Sequence, residues 1–225
     1  MFDSNSVCNP IVPGTRVDKD AMGKIVDETQ YKQIVGSLMY LTSTRPDIIY
    51  VTSLIIKYCS RPTELHLQVA KRIFRYLKGT NQFGIYYKRT ADGGELATST
   101  DSNYAGDIED RKSTKFVAAT ICACHAIWVR RILGELGNEG ENCTEIRCDN
   151  SSTIKLSKNL VINDRSKHID VRYHFLRDLS RDGIIALIKC ASEVQIADIM
   201  TKPLKTEAFQ KHRNAMDMCH ITEVI

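Results

Sequence analysis

Three aspartates stand where carboxylates do chemistry. Asp101 follows the strand-like stretch ELATST, Asp149 ends EIRCD, and Asp198 lies in the first turns of the helical stretch VQIADIMTKPL. Carboxylates at strand ends and at a helix start can converge over one edge of a sheet, where their hard oxygens would hold Mg2+. The same residues act as caps or solvated charges when they do not converge, so geometry has to decide. The stretch around the first of them, TDSNYAGDIEDRKSTKFVAAT at 100–120, raises a further question. It runs from an acidic, polar segment straight into a small-residue helix with no turn signal between.

Cations form the second group. Residues 57–89 carry eight Lys or Arg against Glu64 alone, whereas residues 92–110 carry six acids and no base, although the whole chain is only +4. A basic segment beside an acidic one suits a polyanion held by cations near carboxylate-bound metal; ordinary solvated faces are the alternative. Lys71, Arg72, Arg75 and Lys78 fall on one side of a helical repeat, and RSKHIDVRYHFLRD adds Lys167, His168, Arg172 and His174. Both sets could meet the phosphates of a nucleic acid, or simply face water. His168 and His174 are six positions apart, which does not place them on one helix face for a metal. Tyr104 and Trp128 could stack on bases; the spacing of Trp128 favours the core. Eight cysteines lack any C-x-x-C pair, and Cys122 and Cys124 of CACH point to different faces of a helix, so they read as reduced, mostly buried thiols.

These groups need elements to position them. With 225 residues and 43% apolar content, the chain can build a substantial core. No run of 18 apolar residues and no signal or transit pattern is present, so an intracellular, soluble protein of unspecified address is expected, without a membrane partner. Ile34, Val35, Leu38 and Leu41 recur at helical spacing. TRPD stops that helix and starts one through Ile48, Ile49, Thr52 and Ile55. SRPTE repeats the device, with Ser60 as cap, before Val69, Ala70, Ile73, Phe74 and Leu77. FGIYYK and ELATST suggest a hairpin around ADGG. A helix over 115–136 with Phe116, Thr120, Cys124, Ile127, Trp128, Ile132 and Leu136 inward comes next. The strand EIRCD, a short helix, a helix burying Ile169, Tyr173, Leu176 and Leu179, the strand IIALIKC and a last helix complete an α/β alternation.

YKQIVGSLMYLTSTRPDIIY, PTELHLQVAKRIFRYLKGT, TDSNYAGDIEDRKST, IRCDNSSTIKLSKN, RSKHIDVRYHFLRD and ADIMTKPL, in this order, closely resemble the C-terminal part of the Pol polyprotein of copia-type LTR retrotransposons from plants. The resemblance covers about residues 8–213. It implies a distal reverse-transcriptase connection segment followed by ribonuclease H, an enzyme that cuts the RNA strand of RNA:DNA hybrids with two Mg2+ ions held by four carboxylates. The upstream reverse-transcriptase palm, its partner in the family, falls outside this chain, so polymerase activity is not expected of it. The implied fold is α/β: a ribonuclease H-like mixed sheet with flanking helices, short of about two strands, preceded by a small three-helix unit. The expected divisions are a linker or tail at 1–27, the helical connection segment at 28–80, the ribonuclease H-like domain at 81–213 and a C-terminal tail at 214–225.

Carried over residue by residue, the family's first, third and fourth carboxylates are Asp101, Asp149 and Asp198. The second should be a glutamate on the helix that here begins STKFVAAT, and Lys115 stands in its place. About 25 to 30 residues that the family has before this helix, roughly two strands and their turns, are absent between Thr114 and Lys115. The exchange changes the formal charge of the site from −4 to −2 and sets an ammonium beside two divalent ions, a repulsion of several kcal/mol even at an effective dielectric of about 20. The strand before Asp101 is left with an unpaired edge, and a marginally stable domain is expected. The resemblance therefore implies an inactive ribonuclease H fragment that binds Mg2+ poorly. Its alternatives are an active nuclease in which Asp107, Glu109 or Asp110 replaces the glutamate, and a non-enzymatic nucleic-acid-binding module.

Overall fold

Asp27 caps the first helix, α1 (Glu28–Leu41), its carboxylate accepting from the Gln30 N–H. Pro46 then opens a 3-10 turn, Pro46–Ile48, that leads into α2 (Ile49–Ile56), as the fixed φ of proline favours. The third helix, α3 (Glu64–Gly79), begins one turn later than Ser60 would place it. Thr63 is the cap, because the His66 ring reaches back to its N–H at 3.0 Å. The computed structural model describes residues 4–87, 96–101, 108–137, 143–158 and 167–223.

Two compact units result, one of Met1–Tyr87 with Asp198–Ile225, the other of Lys88–Ala197. In the first, Tyr31, Val35, Leu38, Ile48, Val51, Ile55, Val69, Ala70, Ile73 and Tyr76 of the three helices form one core with Ile199 and Phe209 from α7 (Asp198–Thr201) and α8 (Thr206–Ala215). Two segments expected as tails belong to this unit. Ile11 is 4% exposed within the core, and Val7 and Val17 pack against the same cluster. At the other end, β5 (Met218–His220) pairs antiparallel with β1 (Phe83–Ile85), Phe83 opposite His220. The expected hairpin between FGIYYK and ELATST is thereby corrected. The C-terminal strand takes β1, and the second stretch joins another sheet.

A buried charge network closes this core. Arg45 donates from Nε and Nη2 to the two Asp47 oxygens at 3.0 and 2.8 Å, and from Nη1 to the Thr80 carbonyl at 2.9 Å. The Tyr76 hydroxyl donates to Asp47 and accepts from Arg213 at 3.3 Å. Burial, followed by the Asp47 carboxylate, pushes the Tyr76 phenol well above its ordinary value of 10.0.

His212, 3% exposed, sits in the same unit and is pulled below its ordinary 6.5 by burial. Asp198 opposes the shift, while Lys211 and Lys202 reinforce it. Below pH 6.5 the unfolded chain takes up a proton that the folded one resists, so this contribution to stability is present above that pH and lost on acidification. Urea midpoints for the first unit should fall between pH 7.5 and 5.5, and His212→Gln should flatten the dependence.

In the second unit, β2 (Ala97–Thr100), β3 (Thr144–Cys148) and β4 (Ile185–Lys189) pair in parallel in the order β2-β3-β4. Parallel neighbours need crossovers, supplied by α4 (Ile108–Glu135) and by α5 (Ser151–Lys158) with α6 (Lys167–Arg181). Among the described strands β2 lies at an edge of this α/β sheet. The core joins Phe116, Ala119 and Ala123 of α4 to Ile146, Cys148, Ile185 and Leu187 of the sheet and Leu176 and Leu179 of α6. The expected burial of Ile169 and Tyr173 lies outside the described residues.

Helix α4 keeps Phe116, Thr120 and Ile127 of the expected face toward the core and turns the rest of that face outward. Phe116, Ala119, Thr120, Ala123 and Ala126 are buried, whereas Cys124, Ile132 and Leu136 are exposed and Trp128 is 62% exposed. The helix is apolar on most sides, so periodicity did not select a face; the alanines do, because they let its backbone approach the sheet. By length and composition its Lys115–Glu135 part could cross a membrane, but its alanine face packs on the sheet. The thiols are also less buried than expected: only Cys148 is fully so, and Cys8 and Cys124 are exposed.

Candidate functional site

Parallel pairing decides where the acidic residues fall. Thr100 of β2 stands opposite Cys148 of β3, so Asp101 and Asp149, each one residue further on, emerge side by side at the C-terminal edge of the sheet. Gln195, fully buried, holds the end of β2 by donating its Nε2 to the Thr100 carbonyl at 3.0 Å. On the β3 side, Asn150 turns the chain into α5. Its Oδ1 accepts from the N–H groups of Ser152 and Thr153 at 2.9 and 3.2 Å, an N-cap that fixes the backbone next to Asp149.

Lys115 reaches the same corner. Phe116, fully buried, anchors its turn of α4 against the sheet, and the Lys115 Nζ lies 3.9 Å from Asp149 Oδ1. The lysine side chain is 30% exposed and the aspartate 13%. Partial burial weakens screening by water, so this ammonium is a close electrostatic neighbour of Asp149. Asp198 lies in the first unit, at the start of α7, 6% exposed, and the Lys202 Nζ donates to its carboxylate at 2.8 Å. Two of the three aspartates thus carry a lysine. Among the described residues, in neither unit do three His, Cys, Asp or Glu side chains gather as a metal ion would need.

The remaining candidates divide by position. Asp107 and Tyr104 lie outside the described residues; Glu109 and Asp110 are in the first turn of α4, their side chains likewise outside them. On α6 the side chains of Lys167, His168 and Arg172 are outside the described residues, and His174 is exposed. On α3, Lys71 and Lys78 are exposed and Arg72 and Arg75 half-buried. Arg75 Nε donates to the Asn5 carbonyl at 2.7 Å and Lys78 Nζ to that of Ser4 at 3.0 Å. Burial, then Arg75, lowers the pKa of Arg72. Sequence reasoning missed Gln195 and Lys202. The i,i+4 spacing of Asp198 and Lys202 was the available signal for the latter; nothing local marked Gln195.

Comparison with known proteins gives one consistent group. The chain is 31% identical to the retrovirus-related Pol polyprotein from transposon RE1 of Arabidopsis thaliana over 98% of its length. It is 30% identical to that from transposon RE2 of the same plant over 93%, and 31% identical to that from transposon TNT 1-94 of Nicotiana tabacum over 92%. It spans only 16–17% of these relatives' own length. The RE1 alignment runs over 250 positions, although 98% of this chain is about 220 residues, so about 30 aligned positions have no residue here; the other two show a similar excess. No family model and no solved structure matches.

Proposed function

We propose that this chain, a homologue of the retrovirus-related Pol polyproteins of plant copia-type transposons, is a fragment with a ribonuclease H-type corner that no longer cuts RNA:DNA hybrids. The observation that carries the reading is the Lys115 ammonium 3.9 Å from Asp149. The resemblance puts a metal-binding glutamate at Lys115, and an ammonium this near the Asp149 carboxylate disfavours a divalent ion there. Two further observations support it. The sheet order β2-β3-β4, with β2 at an edge, agrees with the loss of strands that should lie beyond β2. The roughly 30 aligned positions without residues here are of the length two strands and their turns require.

Two magnesium ions do not fit this residue set. Asp101 and Asp149 share an edge, but an ammonium beside Asp149 repels a divalent ion there, by several kcal/mol at an effective dielectric of about 20 before screening by water. No catalytic step through magnesium is derived for this chain. Purified protein incubated with an RNA:DNA hybrid and Mg2+ should leave the RNA strand intact. Cleavage that disappears on Asp149→Asn would overturn the inactive reading in favour of an active nuclease.

A second reading, a nucleic-acid-binding module without catalysis, is compatible with the first and is favoured by the α3 cluster of Lys71, Arg72, Arg75 and Lys78. Glu64, the lone acid of the basic segment, already pairs with Lys24 at 2.9 Å and so does not neutralise the cluster. Hybrid binding should weaken with rising salt, as expected when phosphates release counterions.

A further inference from the structure

Part of the basic side of α3 is already contacted by the chain's own backbone. Residues 4–6 cross it: the Asn5 carbonyl accepts from Arg75 Nε at 2.7 Å, and the Ser4 carbonyl from Lys78 Nζ at 3.0 Å. Ser6 lies so close to the end of the helix that a Cβ at Gly79 would come within 2.8 Å of the Ser6 Cβ. The next few residues are fastened differently. Asn9, 3% exposed, donates its Nδ2 to the Leu204 carbonyl at 2.8 Å and accepts from the Ile11 N–H at 3.0 Å, and Ile11 is part of the core. A firm anchor at 9–11 is therefore followed, toward the N-terminal side, by a segment held through peptide carbonyls.

Those carbonyls are neutral acceptors facing full positive charges. Arg72 Nε is buried without a hydrogen-bond partner among the described residues, and Arg75 crowds it electrostatically. A phosphate oxygen makes a charge-assisted bond to guanidinium or ammonium about twice as strong as a neutral carbonyl does. The Asn5 carbonyl satisfies the geometry of Arg75 but does not answer its charge.

We propose that residues 4–6 form a displaceable strap over an anion site on α3, and that the phosphodiester backbone of a nucleic acid competes with the Ser4 and Asn5 carbonyls for Arg75 and Lys78. Asn9 to Ile11 stay anchored while the strap lifts. This inference rests on the nucleic-acid-binding reading above.

Gly79→Leu tests it in the full chain. Position 79 lies in α3, outside the left-handed region, so the backbone accepts a side chain there while Ser6 must move away. A labelled RNA:DNA hybrid should bind Gly79→Leu about three- to tenfold more tightly than the native chain at the same salt, with a steeper salt slope. Adding Arg75→Ala and Lys78→Ala should abolish the difference. Folded Gly79→Leu that binds no more tightly than the native chain overturns the strap alone. If neither protein binds the hybrid even at low salt, the nucleic-acid reading falls with it. Should Gly79→Leu fail to fold, carbonyl 13C shifts of the native chain decide: those of Ser4 and Asn5 should move when hybrid is added while that of Leu204, which accepts from Asn9, stays in place, and unchanged Ser4 and Asn5 shifts overturn the proposal.

Discussion

Asp47→Ala should destabilise the first unit by about 3–5 kcal/mol, the range for leaving one member of a buried ion pair uncompensated. Asp47 is 1% exposed and Arg45 7%, and the guanidinium places two of its three bonded nitrogens on that one carboxylate. Removing the carboxylate leaves Arg45 with only the Thr80 carbonyl and hydroxyl, and strands the Tyr76 hydroxyl between two arginines, Arg45 and Arg213. Urea unfolding of the first unit, followed through signals of α1 and α3, should shift to a markedly lower midpoint. A change within about 0.5 kcal/mol, the range of ordinary surface substitutions, would mean that the network does not hold the helices together.

The Arg45–Asp47 pair also shows what a sequence yields and what it conceals. TRPD was legible as a helix stop followed by a start, since proline fixes φ and lacks an N–H. That Arg45 and Asp47, on either side of Pro46, would turn inward and pair with each other was not, because the partner that closes the network, Arg213, comes from α8, more than 160 residues away. Long-range partners account for most of the other differences. β1 was assigned to a hairpin with its neighbour in sequence, yet its register is set by β5 near the other end of the chain. The segment around Ile11 looked like a linker because one buried apolar residue and one buried Asn have no periodicity to detect.

Where the signal was local, reading and structure agree more closely. The three helices, the strands ending at Thr100 and Cys148, and the strand IIALIKC fall within a few residues of expectation. Gly137, placed just past α4, has φ +79°, the left-handed conformation that glycine adopts readily at a helix end. Residues Asp101, Lys115 and Asp149 of the candidate site were identified by motif, and the parallel register puts the two aspartates at one sheet edge. What no motif states is the contact between Lys115 and Asp149, which depends on how far α4 slides along the sheet and hence on its alanine face.

That contact leads to the second large effect, on metal binding. An exposed ion pair would be worth under about 1 kcal/mol to stability, and at 30% exposure Lys115 is only partly withdrawn from water, so the pair's own contribution is small. Its consequence for a divalent cation is much larger. Such an ion needs the Asp149 oxygens and would meet the Lys115 ammonium within about one side chain's length, a repulsion of a few kcal/mol at an effective dielectric of about 20, reduced by the exposure of the lysine. The direct measurement is Mn2+ titration of the isotope-labelled chain, followed by paramagnetic broadening of amide signals at Asp101 and at Asp149 to Ser151. The expected result at about 1 mM Mn2+, a range in which weak carboxylate sites already fill, is no broadening beyond that of surface acids such as Asp178 and Asp182. Selective broadening at Asp101 and Asp149, lost in Asp149→Asn, would contradict the claim that Lys115 disfavours a divalent ion there.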